Sequence, residues 1–370
     1  MAQVPPCSTC AQYSLAVSTE MPVSSRRESR LLAAASSDAS ATSERSLETL
    51  SLGVGVVAFI VTGLVALIVF RFDDAPIAGP GSVGQFAAIA AGVVAILAFI
   101  AGRWVIRTDR RFGILDVIDI AALAFAHAII ALLTWTLLAD ILERGFIDAE
   151  VFALPVLILA GAVAAVTAYI VFYSATHMDL PLLAVVLAVF LAEGVIASML
   201  TASDPYWWKD NLSALGMNDD LSSKTFNLTL IVAGVLVTTL ARYATTGIPT
   251  PDAKGVGRVR LCLVIVGVFL GLVGVFPVDR FFAIHTAVAS GMVVAFAVLV
   301  FRLHHWIPGM PRAFALLGWL FVAVILVLAV LFAVGYYTLT AVELVAGILV
   351  FTWIILFIRN AAALQQDTGR

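Results

Sequence analysis

The chain has 370 residues, of which 62% are apolar and only 12% charged, and a mean hydropathy of +1.06. A soluble core cannot hide that much apolar surface, so composition excludes an ordinary soluble domain, and no concentrated basic face suits nucleic acid. The net charge of −3 carries little information, because in a membrane protein the distribution of Lys and Arg matters more than their total.

Residues 1–46 are rich in Ser, Ala and Thr, carry Arg26, Arg27, Arg30 and Arg45, and show no sustained apolar period. We expect a disordered cytoplasmic tail there. The apolar patch at 31–35 is too short for the core of a cleaved leader, and either Met1 or Met21 can serve as the start. Cys7 and Cys10 form a lone CxxC, and Cys262 sits in an apolar span. A zinc site would want a second ligand pair at matching spacing, so we expect no metal and no cofactor.

Ten apolar segments follow, at about 51–70, 83–106, 117–139, 151–173, 180–202, 225–244, 260–276, 281–303, 313–337 and 340–358. Each can cross ~30 Å of hydrocarbon at 1.5 Å per residue. The expected fold is therefore an all-α, polytopic membrane helix bundle. Counted by alternate loops, sixteen Lys and Arg fall on one side, and only Arg71, Arg144, Lys209, Lys224 and Arg280 on the other. The positive-inside rule then puts both termini in the cytoplasm of a multi-pass plasma-membrane protein. It also puts the wet stretch at 203–227 and the turn at 277–280 together on the outer face. Trp104 and Trp306 fall near the inner boundary, and Trp135, Trp207, Trp208, Tyr336 and Tyr337 near the outer one, where amphipathic rings sit at headgroup level. Gly267 and Gly271 form a GxxxG, with Gly274 one turn on, which lets a neighbouring helix approach closely.

Ionisable groups inside hydrocarbon need a reason to be there. Glu193 lies about 13 Å below the outer end of the fifth span at helical rise and must face the bundle, as a coupling carboxylate, a ligand for a cation or headgroup, or a protonated partner of a neighbouring helix. In the third span, Asp119, His127 and Thr134 share a broad stripe at 100° per residue. A satisfied interior histidine is favoured there over a proton relay. Glu343, near the outer end of the tenth span, either reaches the interface or closes the mouth of the bundle. His285 follows Pro277, Asp279 and Arg280 at the start of the eighth span, where it either helps to hold a lipid phosphate or is an interfacial histidine capping the bundle. Asp279 and His285 are six residues apart, hence ~120° apart on a helix, and cannot meet without a third group.

Three pieces of sequence resemble a known family: Asn211-Leu-Ser-Ala-Leu-Gly216 after an apolar span, Phe226-Asn227 opening the next, and Gly274-Val-Phe-Pro-Val-Asp279 followed by His285. They resemble the bacterial membrane proteins grouped as domain of unknown function 998, DUF998. The order of Ser, Gly, Phe and a Pro-to-His turn is more distantly similar to the Frag1, DRAM and Sfk1 group, some members of which are linked to lipid handling. The resemblance implies a six-helix core at 180–358, preceded by a four-helix module at 47–179 and followed by a cytoplasmic tail at 359–370. It brings no reaction.

The residues converge on one expectation: lipid-headgroup or small-solute handling at an outward-facing pocket formed by Glu193, Asp210, Asn211, Ser213, Asn227, Asp279, Arg280 and His285. The partners implied are membrane lipid and a small polar ligand, not nucleic acid; the oligomeric state stays open. The alternatives are a membrane-embedded hydrolase or transferase, with Ser213 or water as nucleophile and His285 with Asp279 or Glu193 as acid and base, and a structural or assembly protein. The enzyme is disfavoured because the chain has no GxSxG elbow, no HExxH and no paired histidine spacing for zinc.

Overall fold

The computed structural model describes residues 23–107, 113–147, 149–246, 248 and 252–368, with side chains between 44 and 365. Contacts divide the chain at Thr49 into a leading unit, Met1–Thr49, and the bundle, Leu50–Arg370. The helices are α1 (Val23–Phe70), α2 (Val83–Val105), α3 (Ile114–Gly145), α4 (Ala153–Thr176), α5 (Leu180–Leu200), α6 (Leu221–Thr245), α7 (Ala253–Val275), α8 (Phe282–Trp306), α9 (Arg312–Ala333) and α10 (Leu339–Thr368). Ten helices among the described residues are long and apolar enough to cross a membrane. The protein is a multi-pass membrane protein with an all-α bundle, the form in which every backbone N–H and C=O is satisfied without water.

Helix limits differ from expectation at both ends. α1 reaches back to Val23, where the sequence pattern suggested a disordered tail, and α10 runs on to Thr368, past the expected tenth span. Residues 26–35 are rich in Arg, Leu and Ala, and 359–366 in Ala and Gln, which lose little on entering a helix even without an apolar stripe. Residues 1–22, with Cys7, Cys10 and Met21, lie outside the described residues.

Within the bundle, α2 packs between α3 and α4, and α5 through α10 form a continuous set in which α6 touches α3, α5, α7 and α10. α6 is the most enclosed span, with 67% of its apolar window buried against 39% or less elsewhere. Its polar side chains must therefore bond inside the protein. Thr229 and Thr245 donate to the carbonyls of Thr225 (2.7 Å) and Ala241 (2.6 Å), and Ser198 of α5 and Ser222 of α6 bond each other across the helix pair.

The GxxxG expectation holds, and its partner is α6. A Cβ on Gly234 would meet the Gly267 carbonyl oxygen at 2.5 Å and the Gly271 nitrogen at 2.7 Å, so the two backbones touch. Under α8, α9 and α10, the fully buried Trp353 packs its ring against Phe296, Phe314 and Phe357 at 5.0–5.7 Å.

Connections at one end of the bundle meet one another. Ala75–Pro76 pairs antiparallel with Glu150–Val151, and the α5–α6 loop touches both the α7–α8 turn and the start of α10. At the opposite end Asp119 of α3 pairs with Arg242 of α6, and Arg260 donates to Thr245 at 2.7 Å.

Candidate functional site

The α5–α6 loop is built by short polar side chains that bond local backbone in preference to extending a helix. Asp204 accepts from the Tyr206 N–H at 2.8 Å. Asp220 caps α6 by accepting from the Ser223 N–H at 2.8 Å and also takes the Ser203 hydroxyl at 2.7 Å. Burial alone would raise its carboxyl, but the hydrogen bonds from Ser203 and Ser223 outweigh that and hold it below the usual range. Asn218 sits at φ 68°, a left-handed position that Asn tolerates well. The Lys209 ammonium lies over the rings of Tyr206 (4.3 Å) and Trp208 (5.7 Å).

The loop contains two short 3-10 turns, Trp207–Lys209 and Leu212–Gly216, and the second is held from three helices. The Glu343 carboxylate of α10 accepts from the Leu212 N–H at 2.6 Å. On α8, His285 is buried, with Nδ1 2.8 Å from the Phe276 carbonyl oxygen and Nε2 3.1 Å from Ser213 Oγ. A carbonyl only accepts, so Nδ1 carries the proton and Nε2 receives the Ser213 hydroxyl. From α6, Asn227 Nδ2 donates to the Gly216 carbonyl at 3.0 Å. A Cβ on Gly216 would lie 2.5 Å from Asn227 Oδ1 and 3.0 Å from the Phe226 ring, so glycine lets the turn seat against α6.

Two of the buried polar atoms without a partner lie on the residue that opens the turn, Asn211 Oδ1, and one turn before Glu343 on α10, Thr340 Oγ1. An unsatisfied buried group costs about 1–3 kcal/mol, so a native site normally supplies a ligand or water.

Of the residues singled out by sequence, Asn211, Ser213, Asn227 and His285 gather on this turn. Arg280 pairs with Asp219 at 3.0 Å and with Asp279 at 3.8 Å, at the rim beside it. Asp210 is exposed. Glu193 stands elsewhere: its Oε1 accepts from Thr134 of α3 at 2.8 Å, and its Oε2 is buried without a partner. The stripe on α3 serves three neighbours in turn. Asp119 binds Thr239 and Arg242 of α6, His127 bonds Ser174 of α4 at 2.9 Å, and Thr134 reaches Glu193 of α5. These are separate links between helices, so the interior-histidine reading holds over the relay.

Neither Asp279 nor Glu193 orients His285; the Phe276 carbonyl does. Ser213 and His285 have the polarity of a nucleophile and base, but the neighbouring Leu212 N–H, a candidate oxyanion donor, is already bonded to Glu343. Glu343 is the member of the cluster that the sequence-based site left out. Its signal was a carboxylate within the first turns of an apolar span.

Residues 182–360 match the model of a family described as protein of unknown function (DUF998). The match runs over helices α5 to α10. No curated protein and no solved structure matches the chain. The matched segment contains the whole cluster on the second 3-10 turn, including Glu343, which is contributed by its last helix.

Proposed function

We propose that the protein handles a lipid headgroup or a small polar solute in a chamber formed by the Leu212–Gly216 turn, α6, α8 and α10, on the outward side of the plasma membrane. The observation that carries this reading is the pair of buried, unpartnered atoms, Asn211 Oδ1 and Thr340 Oγ1, beside a turn whose other polar groups are bonded. A polar ligand would satisfy them where hydrocarbon cannot. The fainter likeness to the Frag1, DRAM and Sfk1 group favours lipid over solute. The Leu212 N–H beside Ser213, already bonded to Glu343, favours binding over hydrolysis.

The test is native mass spectrometry of the full chain released from nanodiscs of phosphatidylethanolamine and phosphatidylglycerol. Lipid should remain on the wild type, and Asn211→Leu with Thr340→Val should lower retention about fivefold, as expected for loss of about 1 kcal/mol of hydrogen bonding. Retention equal to wild type in a variant that melts normally would sink the chamber.

The outward orientation rests on the sixteen-to-five distribution of Lys and Arg between alternate connections. With Cys7, Cys10 and Cys262 replaced, Asp210→Cys should react with a membrane-impermeant maleimide in intact cells. Labelling only after the cells are broken would invert the topology.

A further inference from the structure

Beside the chamber, α6 and the 277–280 turn enclose an open groove of about 300 Å³. Its mouth is polar, with Asp219, Lys224, Asn227 and Arg280, and its floor is apolar, with Leu228 and Ile231. Lys224, Leu228 and Ile231 follow one another at spacings of four and three on α6, so they form a single stripe running from the loop into the span. The stripe covers about 10 Å of helix at 1.5 Å per residue. Alongside it, Gly271 and Gly274 of α7 let the two helices close against each other at the groove's edge; a Cβ on Gly274 would lie 3.1 Å from Ile231 Cγ1.

The two carboxylates at the mouth, Asp219 and Asp279, both sit on one cation, Arg280, which leaves the other cation without a partner among the described residues. Arg280 is engaged by Asp219 and Asp279 yet its side chain remains 54% exposed. Lys224 is exposed, and among the described residues its ammonium has neither a hydrogen bond nor an ion pair. An unpaired ammonium above an apolar stripe is the profile of a phosphate with a hydrocarbon tail, not of a free anion, which would gain nothing from Leu228 and Ile231.

We propose that this groove holds a phospholipid, with its phosphate between Lys224 and Arg280 and the upper part of an acyl chain along Leu228 and Ile231. The assignment rests on the headgroup reading above and gives it a chemical class. Asn227 joins the two places, since it lines the groove and holds the Gly216 carbonyl of the turn.

The experiment uses the full chain in nanodiscs of phosphatidylcholine doped with phosphatidylglycerol, with retained lipid counted by native mass spectrometry after release into detergent. The wild type should keep phosphatidylglycerol, and Lys224→Gln with Arg280→Gln should lower its retention roughly tenfold or more, as expected for two cations near a membrane surface. Because Arg280 also ties down Asp219, Lys224→Glu serves as the variant without a structural partner to lose, and it should lower retention several-fold at unchanged melting temperature. Retention unaffected by Lys224→Glu would overturn the site. Displacement of the lipid by inorganic phosphate at millimolar concentration would overturn the lipid assignment in favour of a free-phosphate site. Loss of lipid in the Lys224 variants but not in the Asn211 and Thr340 variants would support the groove and reject the chamber; the reverse pattern would reject the groove and leave the chamber standing.

Discussion

Replacing Arg242 by alanine should cost about 3 kcal/mol of stability, the range for stripping one partner from a largely buried ion pair. Asp119 would be left only 7% exposed at the start of α3, with Thr239 as its remaining hydrogen-bond donor at 2.7 Å. Arg242 is itself about a third exposed, which puts the expectation at the lower end of that range. The loss should be specific to the orphaned carboxylate. Arg242→Met combined with Asp119→Leu removes both charges and should recover to within about 1 kcal/mol of wild type, because burying a pair stabilises little more than apolar packing of similar volume. Thermal unfolding of the purified protein in detergent measures both variants. A double variant as unstable as Arg242→Ala would mean that the pair matters for shape and not for charge.

Gly234→Val should separate α6 from α7 and destabilise the bundle by about 1–3 kcal/mol, the usual cost of overpacking. The new side chain would meet backbone, the Gly267 oxygen and the Gly271 nitrogen and Cα, and backbone cannot swing aside as a side-chain tip can. In lipid such close packing replaces the hydrophobic drive that holds soluble helices together. Gly257→Ala on α7 and Gly347→Ala on α10 are the controls, since a Cβ at either meets nothing within 4 Å. Those variants should melt at or slightly above the wild type. A Gly234 variant that melts with the controls would show that the seam tolerates spreading.

The ten spans were legible in the sequence because hydrocarbon imposes length and polarity limits that no tertiary contact can waive. The cluster on the second turn was legible for a related reason: Asn211, Ser213, Asn227 and His285 are polar residues at the edge of apolar spans, where each must find a partner. Which partner was not. Glu193 has the depth and the inward face that its position demanded, yet periodicity cannot say which neighbour lies opposite, and the answer is Thr134 of α3. Glu343 meets Leu212 across 131 residues of chain, a distance over which local pattern has no reach. Arg242 read as one more charge on the Lys- and Arg-rich side, while its bond to Asp119 ties α6 to a helix that precedes the segment matched by the family model.

The enclosure of α6 has a consequence for biogenesis. Its mean hydropathy of 1.6 is the lowest of the ten spans, whose other values run from 2.2 to 3.0, and of its polar groups Thr239 is satisfied by α3 and Ser222 by α5 and the turn. During synthesis α6 emerges before α7 and α10 exist, carrying Ser222 and Thr239 toward lipid with α3 and α5 as its available partners. The earlier helices thus act as a receiving surface for the span that later becomes the centre of the bundle.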